Sequence, residues 1–525
     1  MAALDIYTGP WDERRAAHLL RRTTFCTRPS IARDLTKKTL AQVIDELLAD
    51  KPAPAPPVDP GLSTQGTWTY NMQTLHPEDF KFRPLVKVWW LKQMFRSTDV
   101  SITEKLTLFW HNHFATEADM YQDSRMQYAH NALLRRNAMG NFRTFVRDVT
   151  LDPAMLRYLN GDTNTAAKPN ENYARELQEL FTIGKGFERA PGDYTNYTED
   201  DVKAAARVLT GWRAFRLGDP SKSTFSAQLH DSGTKTFSAC FGKTTITGGK
   251  DEAAARREID ELIAMILAQE ETARHIVRKL YRWFVFYGID DATERDVIIP
   301  LAKQFKDGNY EIKPVLRTLL SSNEFFDDRN IGAMIKSPVD FYAGLSNLYA
   351  GEFPSDPMQQ YLVIGAVANQ VAVQQQNIMD PPSVAGWPAY YQSPDFYKQW
   401  INSVTLPNRY GYTDTILYGT APRVPPNLAF DTLAFVAAHG TDASDAHTLV
   451  RDVGAVLMPA YNLTEEEITY LTEKVLMAGS QVYEWTKIWS EYLAAPTNTL
   501  KKKAAEDRLK ALFRYMFRMG EFQLQ

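Results

Sequence analysis

Apolar residues recur three and four positions apart through most of this chain, with charged and polar residues filling the faces between them, and that period predicts helices. It is clearest over residues 11–22, 31–48, 83–95, 102–114, 126–136, 198–212, 253–268 and 272–286, and several more such segments follow toward the C-terminus. Start signals fall where such helices would begin: Ser101 with Glu104, Thr198 with Asp201 and Thr464 with Glu467 each set a hydroxyl three residues before an acid. The proline-rich stretch 51–60 is a stiff, extended connector that no helix can continue through.

The period changes in two places. Between residues 215 and 250 the chain turns to Ser, Thr, Gly and Phe, and segments 236–238 and 243–247 alternate around turn residues, which predicts a small β-hairpin. From 381 to 410 the sequence is loop-like and dense in aromatics, among them Trp387, Tyr390, Tyr391, Phe396, Tyr397 and Trp400. The expected fold is therefore mainly α, a large multi-helix globular bundle with a small hairpin insertion near 215–250. Three parts are expected: an N-terminal helical pair with the connector (1–60), a main helical domain with the hairpin and the aromatic loop (61–425), and a C-terminal helical segment packed on it (426–525).

Composition narrows the function classes. At 525 residues, 44% hydrophobic and 23% charged, the chain can bury a large core, and a net charge of -4 gives no general attraction to nucleic acid. Cys26 and Cys240 can supply at most one disulfide, so no disulfide framework is expected. The first residues lack a basic start followed by an apolar core, and no run approaches the roughly 20 apolar residues of a membrane span. A cytoplasmic location is the expectation for the chain as it stands, and a periplasmic or secreted one if a leader has been removed.

The candidate chemistry centres on the segment 169–181. Read as a helix, it gathers Tyr173, Leu177, Leu180 and Gly184 on one face and sets Glu176 at that face's edge, while Arg175, Gln178, Glu179 and Thr182 take the opposite, solvated side. A carboxylate drawn from water must be paired, protonated or open to a polar cleft. Asn170 suits a cap, Glu171 suits the first turn, and Asn172 and Arg175 are left free for a polar network with Glu176.

In the helix near 102–114, His111 and His113 lie about 200° apart, too far round to share one metal ion. His113 falls on the apolar side and His111 with Glu104, so His113 is expected to be the buried one, either as a core residue or as a partner that tunes Glu176. His230 and Asp231, at the start of the hairpin, suit an acid or a metal ligand, or simply a turn. The first helix carries Arg14, Arg15, His18, Arg21 and Arg22 along one side, a stripe for an acidic ligand or partner, or a solvated face with acid partners of its own. The chain has no glycine-rich phosphate loop behind a strand, no His-Glu-x-x-His, no Cys-x-x-Cys and no Gly-x-Ser-x-Gly. No cofactor is expected, with a divalent or transition metal kept open.

Several segments in series resemble the bacterial family known as domain of unknown function 1800. They are His18-Leu-Leu-Arg-Arg22, Leu108-Phe-Trp-His-Asn-His-Phe114, Asn170-Glu-Asn-Tyr-Ala-Arg-Glu-Leu-Gln-Glu-Leu-Phe181, Tyr197 to Val202 with Leu209-Thr-Gly-Trp212, His230-Asp231 with Lys235-Thr-Phe237, Lys336-Ser-Pro338, and Asp380-Pro-Pro-Ser-Val-Ala-Gly-Trp-Pro388. The resemblance runs from Ala16 to Gln523. It implies a bacterial protein, often exported, and often encoded beside a phosphatase- or sulfatase-like protein that would be a natural partner. It assigns no catalytic residue.

The leading expectation is an enzyme working on a glycan, as hydrolase or lyase, in a cleft walled by helices 110–114 and 170–181 and the 381–400 loop. Glu176 is its acid or base, with His113, His111, Glu171, His230 and Asp231 as further catalytic candidates. Asn172, Arg175, Arg22, His18, Trp110, Trp387 and Trp400 are the substrate-binding candidates. The alternatives are a non-catalytic binding or assembly protein that docks through the basic first helix and the aromatic loop, and a metal-dependent hydrolase or oxidase. No nucleic-acid partner is expected.

Overall fold

The computed structural model describes residues 2–61, 78–95, 98–190, 193–215, 218–348, 354–419, 429–458 and 460–525. It is mainly helical. The helices that position the site are, in chain order, α1 (Glu13–Thr23), α2 (Pro29–Leu35), α3 (Leu40–Leu47), α4 (Arg83–Met94), α5 (Thr103–His113), α6 (Ala118–Tyr121), α7 (Ser124–Asn137), α8 (Phe142–Thr150), α9 (Pro153–Tyr158), α10 (Asn172–Glu179), α11 (Glu199–Val208), α12 (Glu252–Leu267) and α13 (Glu270–Phe284). Further helices run from Asp291–Thr293 to Thr499–Met516.

Most predicted segments form within a few residues of their expected ends. The exceptions have local causes. Segment 31–48 splits into α2 and α3 because Thr39 and Gln42 build a capping box that starts a new helix. The segment from 198 stops at Val208, short of the expected 212, and Trp212 instead opens a strand. The capping boxes at Thr198 and Thr464 form, whereas Ser101 bonds the N–H and hydroxyl of Thr103, and Glu104 turns to Arg135 and the Trp90 indole.

The described β structure is three two-stranded antiparallel ribbons: β1 (Glu188–Ala190) with β2 (Asp193–Tyr194), β3 (Trp212–Arg213) with β4 (Thr224–Phe225), and β5 (Lys235–Thr236) with β6 (Thr245–Ile246). The last is the predicted hairpin, with Lys235 opposite Ile246. It is fastened to α12 by a sealed polar cluster. Glu258 accepts from Lys235 Nζ at 2.5 Å, its other oxygen lies 3.1 Å from His230 Nε2, and all three side chains are fully buried.

One continuous apolar core runs from Ala16 in α1 to Phe522 near the C-terminus. Its centre is α5, ringed on every side by elements distant in sequence. Trp90 of α4 and Trp387 of the aromatic loop pack on His111, Phe142 and Phe145 of α8 on Trp110, and Trp283 and Phe284 of α13 on Phe109. Among the described residues no helix is long and apolar enough to cross a membrane. Cys26 and Cys240 are free thiols.

Candidate functional site

Helix α10 begins at Asn172 with Glu171, not Asn170, at the cap position and no side-chain cap bond. Asn170 Oδ1 accepts the Asn172 N–H at 3.0 Å from one residue further out, so the expected asparagine cap is displaced by one residue and Glu171 stands before the first turn. The helix ends at Glu179, and the chain then folds back: Thr182 Oγ1 donates to Leu177 O at 2.5 Å and the Gly184 N–H to Gln178 O. Thr182 is buried completely, against the expectation that it faces solvent, because the helical wheel no longer governs the chain beyond Glu179; Gln178, still within the helix, is buried as well, its Nε2 donating to Ala174 O at 3.2 Å.

Glu176 lies at the edge of the buried face, as expected. Its carboxylate is half-buried and makes no hydrogen bond or ion pair among the described residues. Loss of water, then repulsion from Glu179, push its pKa up to about 7 against the weaker pull of Arg175 and Lys185. Glu117, at the start of α6, is a second half-buried carboxylate without a described hydrogen bond; desolvation, Asp380 and Asp119 raise it as well. Both carboxylates act on Tyr158 at the end of α9, whose phenol burial and these two charges push up to about 12. Tyr158 thus feels both carboxylates, although neither is among the charges that shift the other, a relation the sequence did not reveal because the three residues belong to separate segments.

The other end of α10 builds a different place. His113 Nε2 lies 3.0 Å from Phe181 O and His113 Nδ1 lies 3.1 Å from Lys279 Nζ. Lys279, on α13, also donates to Leu180 O at 2.9 Å. Both ring nitrogens of His113 are thus engaged, and neither bonds Glu176: the expected His113–Glu176 pair does not form. Burial and the neighbouring Lys279 hold His113 well below the usual histidine range. His113 and Lys279 line a cavity of about 40 Å³ whose walls are α5, α13 and the aromatic loop, including Asn112, Arg282, Tyr390, Tyr391, Phe396 and Tyr397. The loop is seated by its backbone: Asn112 Oδ1 accepts the Trp387 N–H, and a Cβ on Gly386, at φ +91, would meet that oxygen at 2.3 Å.

The remaining candidates fall into two groups. Near α10, Arg175 makes a two-pronged ion pair with Glu199 at 2.6 and 2.7 Å and a longer contact to Glu171, while Asn172 is exposed. Elsewhere the expected ligand-facing residues are interior. His111 is as buried as His113, 2% exposed, because α5 has no solvated face and Glu104 is drawn away to Arg135. Trp110, Trp387 and Trp400 are core residues, the first with its indole N–H on Ala138 O. His18 bonds Phe325 O, and Arg22 donates to the carbonyls of Val285 and Asn330.

The stripe on α1 is accordingly not a free basic face. Arg14 and Arg15 pair with Asp328 and Asp12, and Arg21 and Arg22 turn inward, where burial lowers both to about 10. His230 belongs to the sealed Glu258 cluster, and Asp231 pairs with Arg207 and caps the Gly233 N–H. His230 is sealed inside, and Asp231 is half-buried in its ion pair. Among the described residues no three His, Cys, Asp or Glu side chains gather closely enough to hold a metal ion.

A family model described as protein of unknown function (DUF1800) matches residues 18–524, nearly the whole chain, and the chain belongs to that family. No curated protein and no solved structure matches.

Proposed function

With no reaction attached to its family, we propose from the site itself that this chain is an acid–base enzyme in which Glu176 exchanges a proton with the substrate and Glu117 is the second carboxylate. The observation that supports it most is the pair of half-buried, unbonded carboxylates beside one phenol. A carboxyl that titrates near neutrality is present in both protonation states at working pH, which suits a group that must both give and take a proton. Glycoside cleavage uses two carboxyls in opposite states, one protonated to supply the leaving oxygen and one ionised to act on the ring or on water; Glu176 is proposed for the first role and Glu117 for the second.

A glycan is the proposed substrate class. Asp380, just ahead of the aromatic loop, is one of the charges that raise Glu117, so the loop starts near that carboxylate, and farther along it Tyr391, which borders the Lys279 cavity, is exposed. Sugar rings stack on such faces. The test is a screen of polysaccharides for release of reducing ends or of unsaturated ends, run with the wild-type chain, Glu176→Gln and Glu117→Gln. Glu176→Gln is expected to lose about 10²–10⁴ in turnover with its circular dichroism unchanged. Turnover equal to wild type in that variant would remove Glu176 from the reaction.

A further inference from the structure

The cavity beyond the other end of α10 holds a second chemistry. Lys279 reaches it from α13 with no carboxylate partner among the described residues, and the charge closest in effect is the like charge of Arg282. Its nitrogen has two neighbours that accept hydrogen bonds, Leu180 O at 2.9 Å and His113 Nδ1 at 3.1 Å. His113 Nε2 faces Phe181 O, which only an N–H can satisfy, so Nδ1 is the bare, accepting nitrogen of that ring. A neutral amine has two hydrogens, and these two acceptors take both. The lone pair is what remains without a partner. Loss of water around the half-buried amine, followed by the repulsion of Arg282, lowers Lys279 to about 7, in keeping with that neutral form.

Arg282 supplies the complement. Its Nε donates to Tyr287 O at 3.2 Å and its guanidinium lies over the Phe396 ring, while its terminal nitrogens bond no described group. Those nitrogens suit a carboxylate. Asn112 lines the same cavity, and its oxygen is taken by the Trp387 N–H of the loop. At about 40 Å³ the space holds roughly three waters, at about 10–15 Å³ each, so the ligand has to be small.

We propose that this cavity binds a small 2-oxo acid, its carboxylate on Arg282, and that Lys279 captures its keto carbon as an imine. The lone pair of Nζ forms the C–N bond as the carbonyl π pair moves to oxygen. His113 Nδ1 takes a proton from the nitrogen and passes it to that oxygen, giving a carbinolamine. The second N–H proton follows the same route, the C–O bond breaks with loss of water, and the nitrogen pair closes C=N. Both protons of the amine end in the water released, and no oxidant or reductant is consumed. A lysine desolvated beside another cation is the usual preparation for such a nucleophile.

The experiment uses the full chain with pyruvate at pH 7, reduction with borohydride, digestion and mass spectrometry, beside a parallel reaction with acetone. The expected result is a saturable reduced pyruvate adduct concentrated on Lys279, with acetone labelling it at least tenfold less. Arg282→Gln, which leaves the amine in place, is expected to lower pyruvate labelling at Lys279 at least tenfold. Label confined to exposed lysines with none on Lys279 would overturn the proposal. Equal labelling by acetone and pyruvate, or full labelling in Arg282→Gln, would overturn the carboxylate clamp. None of these readings involves Glu176, so the two sites stand or fall separately.

Discussion

At the scale of single residues, the position of Glu176 carries a thermodynamic signature that needs no substrate. Its pKa lies near 7 in the folded chain and near the ordinary 4.5 when unfolded, so the unfolded state ionises first as pH rises. Below pH 4.5 both states are protonated and the group has no effect. Between pH 4.5 and 7 its contribution turns unfavourable, and above pH 7 the full cost is present. With allowance for its partial exposure to water, that cost is about 1–2 kcal/mol. Glu176→Gln is therefore expected to be more stable than wild type by that amount in urea at pH 8 and equal to it at pH 4; a loss of stability at pH 8 would mean the carboxylate is held by a favourable partner.

At the scale of elements, the β5–β6 ribbon depends on one carboxylate. Burial pushes Glu258 up, but His230, Lys235 and the Gly249 N–H more than offset this and leave it below the usual range. Removing that charge strands the buried Lys235 ammonium, so Glu258→Gln is expected to cost about 3–5 kcal/mol, measured by urea unfolding. A cost under 1 kcal/mol would show that the cluster is not sealed. Gly386→Ala is expected to unseat the aromatic loop, since its Cβ meets both Asn112 Oδ1 and, at 2.5 Å, Asn112 O; strain of about 1–3 kcal/mol at such a position should appear as faster proteolysis within the loop.

The elements also show what could be read in advance. Helical periodicity placed Glu176 at the edge of a buried face, because α10 is regular up to that point. It misplaced Thr182, because the fold-back after Glu179 depends on hydrogen bonds that no periodicity encodes, and it misplaced Gln178, which is buried within the helix because neighbouring segments cover that face too. Lys279 was illegible for a different reason. It lies among Arg274, Arg278 and Arg282 in what reads as a solvated basic face, and only the packing of α13 against α5 and the end of α10 removes it from water.

At the scale of the whole molecule, the fold class and the hairpin followed from pattern alone, whereas the enclosure of α5 did not. Its walls come from residues 90, 142–145, 283–284 and 387, and sequence distance hides such convergence. One consequence is global. Burial first, and nearby cations, hold His18, His111, His113 and His275 well below the usual histidine range. The unfolded chain takes up protons on these rings as pH falls through 6.5 while the folded chain does not, so stability is intact above that pH and lost below it, by about 1.4 kcal/mol per unit for each ring. This outweighs the opposite trend of Glu176. Urea midpoints should fall steeply from pH 6.5 to 5, and a flat profile there would contradict the neutral, buried state of these histidines.

The most direct measurement is the titration of Glu176 itself, followed by carboxyl ¹³C resonances in a chain labelled at glutamate and assigned by their disappearance in Glu176→Gln. The expected result is a single-proton titration centred near pH 7. A midpoint near the ordinary 4.5 would place the carboxylate in open solvent and leave the acid–base reading without its acid.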